Sequence, residues 1–184
     1  MISQTLFTRV DTAEHRLCRF ANRGCQRKWT RSIFKTVSRL GDGVFWYVLI
    51  AMMPLFMGLD RLRDGLHASA HMLMAAAAGL VTYKLLKRKL VRERPFISFE
   101  AIECAIPPLD RYSFPSGHTL HAVLFTSIAV AYVPELAVLL APFAILVALS
   151  RVVLGLHYPT DVLVGAFLGW MIARLSWFAI PLSG

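Results

Sequence analysis

The sequence predicts an all-α polytopic membrane bundle of about five spans, preceded by a basic amphipathic N-terminal helix. Three observations predict it. Of the 184 residues, 57% are hydrophobic, well above the apolar share of an ordinary soluble domain. Apolar runs follow one another at 44–59, 66–86, 118–133, 136–154 and 162–181, several of them near the lower limit of the roughly 17–25 residues that a spanning helix needs. The formal net charge is +9, and its cations gather in the N-terminal arm and beside the apolar runs. That placement suits anionic lipid heads as partner and argues against nucleic acid. The length suits one compact bundle without a second globular domain.

The N-terminal arm comes first. Residues 5–40 read as helix, with Leu6, Val10, Ala13, Leu17, Phe20 and Gly24, then Trp29, Ile33, Val37 and Leu40, at helical spacing. Arg9, Arg16, Arg19, Arg23, Lys28, Arg31 and Lys35 cover much of the remainder. A basic helix with apolar and aromatic anchors lies in the bilayer interface. A charged helix packed on the protein's own cytosolic face is the alternative. No secretory signal pattern is expected in this stretch. The segment 1–40 is thus set apart from a membrane-embedded domain over 41–184.

Gly41-Asp42-Gly43 breaks the arm, and the spans follow, extended at their ends by Trp46, Tyr47, Tyr132 and Trp177. Short polar turns at 60–64 and at Pro134-Glu135 join neighbours. Residues 87–115 form the one long polar connection, with Pro95, Pro107, Pro108 and Pro115. An irregular segment of that length between spans is usually functional. Cys18, Cys25 and Cys104 follow no metal-ligand spacing, so free thiols are expected. His67 and His71 have ligand spacing but no acidic or thiol neighbour, which favours packing. Gly165 and Gly169, a small-x3-small pair, suit close helix packing.

Three clusters carry the chemistry. In the first, 87–95, Lys87 and Arg94 stand seven residues apart, two helical turns, so both can face one anion. Juxtamembrane charges gripping lipid heads are the bland reading, and Lys84, Arg88, Lys89 and Arg92 crowd the same stretch. In the second, Pro115-Ser116-Gly117-His118, Ser116 can cap a helix, and Gly117 lets a ligand approach the backbone closely. His118 can pass a proton to a leaving group, and His121, three residues on, can line the mouth of the same pocket. In the third, Ser150 and Arg151 end one span, and Asp161 follows His157 by four residues. An aspartate there can take one histidine N–H and leave the other nitrogen free to attack. With five crossings, all three clusters fall on one side of the membrane.

These residues resemble the signature of the type 2 phosphatidic acid phosphatase superfamily, the lipid phosphate phosphatases. Lys87, Arg94 and Pro95 match its first motif; Pro115, Ser116, Gly117 and His118 its second; and Ser150, Arg151, His157 and Asp161 its third. The resemblance implies a metal-free phosphomonoesterase or diphosphatase without cofactor. His157 would be the nucleophile and Asp161 its orienting partner, with His118 as general acid and then base. Lys87, Arg94, Ser116, Gly117 and Arg151 would hold the phosphoryl oxygens. Polyprenyl phosphates or diphosphates, phosphatidylglycerophosphate and phosphatidic acid are the substrates it suggests. A phosphotransferase using a second lipid as acceptor, or a non-catalytic lipid-phosphate binding or transport protein, are the rivals. Membrane members of the family usually have six spans, and here the amphipathic arm takes the place of the first. The arm's cations then favour a cytoplasmic N-terminus in the cell membrane and a cytoplasmic site. Oligomeric state is not legible.

Overall fold

The computed structural model describes residues 2–180, with side chains from residue 10 onward, and every regular element among them is helical. The end of the fifth apolar run, Pro181, and the side chains of Leu6 and Arg9 lie outside the described residues. The arm is two helices, not one. Helix α1 (Ile2–Asn22) ends in a 3₁₀ turn at Arg23–Gln26, and α2 (Lys28–Leu40) restarts after an extended Arg27. The break is anchored by Asn22. Its amide donates to the carbonyls of Glu103 and Val153, 3.0 Å each, and its oxygen accepts the Glu103 N–H at 2.8 Å.

The arm's two faces are sorted unusually. Leu17, Phe20, Trp29 and Ile33 point away from the protein, Phe20 at 74% and Trp29 at 84% exposure. Glu14, Cys18, Asn22, Cys25 and Ser38 are buried against the bundle. The arm thus turns an apolar face outward and its polar residues inward.

The five apolar runs become α3 (Val44–Met57), α4 (Leu62–Lys89), α6 (Gly117–Tyr132), α7 (Ala137–Val153) and α8 (Pro159–Ala179), with the single turn α5 (Pro95–Ser98) in the long connection. By length and composition α4, α7 and α8 can each cross a membrane, and α2 with α3 passes jointly with a 52° bend. At 14 and 16 residues, α3 and α6 are the short members. The core is one apolar cluster that includes Trp46, Met53, Met72, Leu120, Leu124, Ile128, Leu140 and Val147, all fully buried or nearly so.

Helix α8 packs along α6 with almost no side-chain spacer. A Cβ on Gly169 would stand 2.2 Å from the Leu120 carbonyl oxygen, and one on Gly165 would stand 2.5 Å from that of Ser116. The small-x3-small pair therefore seats backbone on backbone. This contact brings the N-terminus of α8 beside that of α6, where the Ser116 N–H donates to the Asp161 carbonyl at 3.1 Å. The C-termini of α4 and α7 arrive at the same end, so the three sequence clusters converge there.

Candidate active site

At that end lies a cavity of about 600 Å³ lined by Lys87, Arg94, Gly117, His118, Arg151 and His157. One wall is apolar, from Trp46 and Ile50 on α3, Leu73, Ala76 and Leu80 on α4, and Phe125 on α6. Of the residues singled out from sequence, Ser116 and Asp161 are not on the cavity surface. Ser116 is fully buried. Its hydroxyl pairs with the Thr119 hydroxyl at 2.9 Å and caps α6 by accepting the Thr119 N–H at 3.5 Å.

Lys87 and Arg94 do meet, but not by sharing a helix face. Helix α4 ends at Lys89, and Arg94 sits in extended backbone before Pro95, as residues preceding proline do. Both cations converge on Asp110. One carboxylate oxygen accepts Lys87 Nζ at 2.5 Å and Arg94 Nη2 at 2.7 Å. Lys87 also donates to the Tyr112 carbonyl at 2.9 Å, and Arg94 Nη1 to that of Leu156 at 2.7 Å. Burial alone would raise the Asp110 carboxyl, but these two cations hold it below the usual carboxylate value. An anion is thus already stabilised at this spot.

His157 lies in the short loop between α7 and α8. Its Nδ1 faces Asp161 Oδ2 at 3.5 Å, and its Nε2 faces Arg94 Nη1 at 3.4 Å. A guanidinium only donates, so this contact needs a lone pair on Nε2 and puts the imidazole proton on Nδ1, toward Asp161. Burial, then Arg94, Arg151 and Lys87, push the His157 pKa well below its ordinary value. A neutral imidazole with Nε2 free toward the cavity is what a nucleophile requires.

Asp161 is fixed from two further sides. Oδ2 accepts the Tyr158 N–H at 2.9 Å at the start of α8, and Oδ1 accepts Arg92 Nη1 at 2.5 Å. Arg92 is 1% exposed and stacks 3.8 Å over the Tyr158 ring. It also donates to Asp11 and Glu14 of α1, at 2.6 and 2.8 Å through Nη2. The N-terminal arm therefore reaches the back of the site through one buried arginine. Sequence reading grouped Arg92 with lipid-facing charges, and nothing local distinguishes it from Arg88.

His118 opens α6, and its Nε2 hydrogen-bonds Oδ1 of Asp42 from the glycine-flanked turn between α2 and α3. Arg151 is buried, donates through Nη1 to Ser38 on α2, and keeps its Nε buried without a hydrogen-bond partner. Asp42, Ser38 and Asp110 are the site residues that the sequence motifs did not reveal. An aspartate between two glycines read only as a helix breaker.

A membrane phosphatase acting on lipids is the class that this bundle and this cavity define. The chain belongs to the PAP2 superfamily, whose profile matches residues 68–183. It is similar to the decaprenylphosphoryl-5-phosphoribose phosphatase of Mycolicibacterium smegmatis, 36% identical over 135 residues, covering 71% of this chain and 68% of that one. Phosphatidylglycerophosphatase B of Bacillus subtilis is 30% identical over 159 residues, covering 80% of this chain and 73% of that protein. The crystal structure of a transmembrane PAP2-type phosphatidylglycerolphosphate phosphatase from Bacillus subtilis superposes with a TM-score of 0.75. That match has 26% identity and covers 97% of this chain and 90% of that one. The chain is accordingly a membrane-embedded hydrolase of lipid phosphates.

Proposed function

We propose that this phosphatase hydrolyses a lipid phosphomonoester or diphosphate through a phosphohistidine on His157. The observation that carries the proposal is the convergence of Lys87, Arg94, Arg151, His118 and His157 on one cavity with an apolar wall. Such a cavity suits a phosphate head with its lipid stem lying among α3, α4 and α6.

In the first step His157 Nε2 attacks phosphorus, the P–O ester bond breaks, and His118 gives its proton to the leaving oxygen. In the second, His118 takes a proton from water, whose oxygen attacks phosphorus. The P–N bond breaks, and inorganic phosphate leaves. Asp161 balances the charge that develops on His157, and Asp42 orients His118. Lys87, Arg94 and Arg151 supply the donors for the equatorial oxygens, displacing the Asp110 carboxylate from Lys87 and Arg94. The Gly117 and His118 backbone N–H groups at the α6 N-terminus face the same anion.

The substrate classes most compatible with the site are polyprenyl phosphates or diphosphates, phosphatidylglycerophosphate and phosphatidic acid. The relatives' named substrates point to phosphomonoesters on a prenyl-linked pentose or a glycerol phospholipid. Phosphate release by purified protein in EDTA, from a panel of these lipids with His157→Ala beside it, tests the reading. EDTA-resistant release that the variant loses is expected; metal-dependent release, or release that survives the substitution, would sink it.

We further propose that α1 and α2 lie on the cytoplasmic leaflet of the cell membrane, that residues 41–184 form the catalytic bundle with five crossings, and that the site faces the cytoplasm. The outward apolar face of the arm and its arginines support this. Cys104, in the long connection, is the one cysteine that is not buried. A membrane-impermeant maleimide should therefore label it only after permeabilisation. Labelling of intact cells would reverse the assignment.

A further inference from the structure

His121 is a polar group of the cavity with no part in the chemistry above. His121 lies three residues after His118 on α6, so the two imidazoles share one face of the helix. Its Nδ1 sits 2.9 Å from the Gly117 carbonyl oxygen. A carbonyl can only accept, so Nδ1 carries a proton, and the Nδ1–H tautomer presents Nε2 as a lone-pair acceptor. No described residue donates to that nitrogen, yet His121 lines the cavity. Gly79 on α4 makes room for the imidazole: a Cβ there would stand 3.4 Å from Nε2 and 3.0 Å from the Leu120 Cδ2. The rest of the surroundings is apolar or aromatic, with Leu120 and Leu124 beside Gly79 and the Tyr83 and Phe125 rings about 6 Å away.

A lone acceptor in such a wall calls for a donor from the ligand. Ester oxygens and ionised phosphate oxygens are acceptors and do not qualify. An ammonium qualifies by hydrogen bonding but would enter a cavity where Lys84, Lys87, Arg94 and Arg151 outnumber Asp42 and Asp110, so the net like charge opposes it. A neutral hydroxyl remains. We propose that His121 is a specificity residue whose Nε2 accepts a hydrogen bond from a hydroxyl on the substrate's leaving alcohol, next to the carbon that bears the phosphate. The place fits, since His118 serves the leaving oxygen and His121 stands one helical turn further along the same face. The subsite rests on the lipid phosphatase reading and narrows it to phosphomonoesters of glycerol or another polyol with a neighbouring free hydroxyl, over phosphates on a plain prenyl or diacylglycerol stem.

The test compares kcat/KM for phosphatidylglycerophosphate and for its analogue lacking the free glycerol hydroxyl, in wild type, His121→Phe and His121→Gln. Wild type should prefer the hydroxyl-bearing lipid by roughly 10–100-fold, the range expected when a site acceptor loses its hydrogen-bond donor. His121→Phe should bring that ratio close to one, and His121→Gln, which retains an acceptor, should recover part of it. A purely structural role would lower both rates together and keep the ratio, which overturns the proposal. Wild type that turns over both lipids equally overturns the subsite alone. Wild type that releases phosphate from neither overturns the phosphatase reading and the subsite with it.

Discussion

The two ends of this helix bundle both bury histidines among apolar helices, and they treat them in opposite ways. At the end away from the cavity, His67, His71, Tyr132 and Ser176 form a closed chain. The Ser176 hydroxyl donates to the Ala173 carbonyl at 2.8 Å, so its oxygen must accept His71 Nε2–H, also at 2.8 Å. His71 Nδ1 is then the acceptor for the Tyr132 hydroxyl at 3.1 Å, whose oxygen accepts from His67 Nδ1 at 3.2 Å. Every proton along that chain has one place to be. At the cavity end, Arg151 Nε is buried with no partner, His121 Nε2 has none, and one Asp110 oxygen serves two cations. Satisfied polar groups hold helices together. Groups left wanting around a cavity mark where a ligand completes them.

The largest effect that separates the ends is loss of the proposed nucleophile, His157. His157→Asn should cost on the order of 10⁴-fold or more in kcat, with the thermal unfolding midpoint nearly unchanged. A variant with more than about 1% of wild-type turnover would break the assignment of His157. The pH dependence sharpens the same point. The His157 pKa lies well below its ordinary value of 6.5, so the neutral nucleophile persists as pH falls through the usual histidine range. The acid limb of the kcat/KM profile should therefore fall well below pH 6.5, and a limb at or above it would contradict the buried, cation-flanked environment.

Arg92 is where the two kinds of burial coincide, and it gives the next largest effect. It ties Asp161, the partner proposed for His157, to Asp11 and Glu14 of the arm. Arg92→Met would strand these acids in the interior, and removing one partner of a buried ionic network costs about 3–5 kcal/mol. Both stability and turnover should drop, unlike the effect of His157→Asn. Normal activity with lowered stability alone would mean that the arm braces the fold without positioning Asp161. Asp42→Asn comes third. It keeps the shape of the turn but removes the anion beside His118, and kcat should fall about 10–100-fold, since an orienting partner matters less than the acid it orients. An unchanged kcat would exclude Asp42 from the site.

What the sequence made legible follows from how far its signals reach. The three clusters were readable because each is local and each sits at a helix end, so apolar periodicity alone places them on one face of the membrane. His118–Asp42 spans 76 residues and Arg92–Asp11 spans 81. Such contacts exist only through packing, and neither aspartate differs locally from a helix breaker or a surface charge. The break at Arg23–Gln26 was hidden because Gly24 fell in phase with the apolar stripe, while the anchor that makes the break, Asn22 on Glu103 and Val153, is itself tertiary. Lys87 and Arg94 were paired correctly for a wrong reason: helical spacing suggested a shared face, whereas the helix ends between them and Asp110 draws them together.

The smallest effect tests the quiet end. Ser176→Ala removes the acceptor for His71 Nε2–H and leaves one buried donor unpaired. Interhelical hydrogen bonds among membrane helices contribute about 0.6 kcal/mol on average and up to about 1.7, so a fall in stability within that range is expected. The same variant should keep kcat within about twofold of wild type, because no residue of the His67–Tyr132–His71–Ser176 chain lines the cavity. The magnitude matters less than the split. A rate loss well beyond twofold at wild-type stability would mean that the far chain communicates with the cavity, along α8, which carries Ser176 near one end and Asp161 at the other. That helix lies backbone to backbone on α6 at Gly165 and Gly169, so a shift at Ser176 has a rigid path to His118. Stability lost at constant rate instead leaves the far chain as an interhelical fastening, separate from the chemistry.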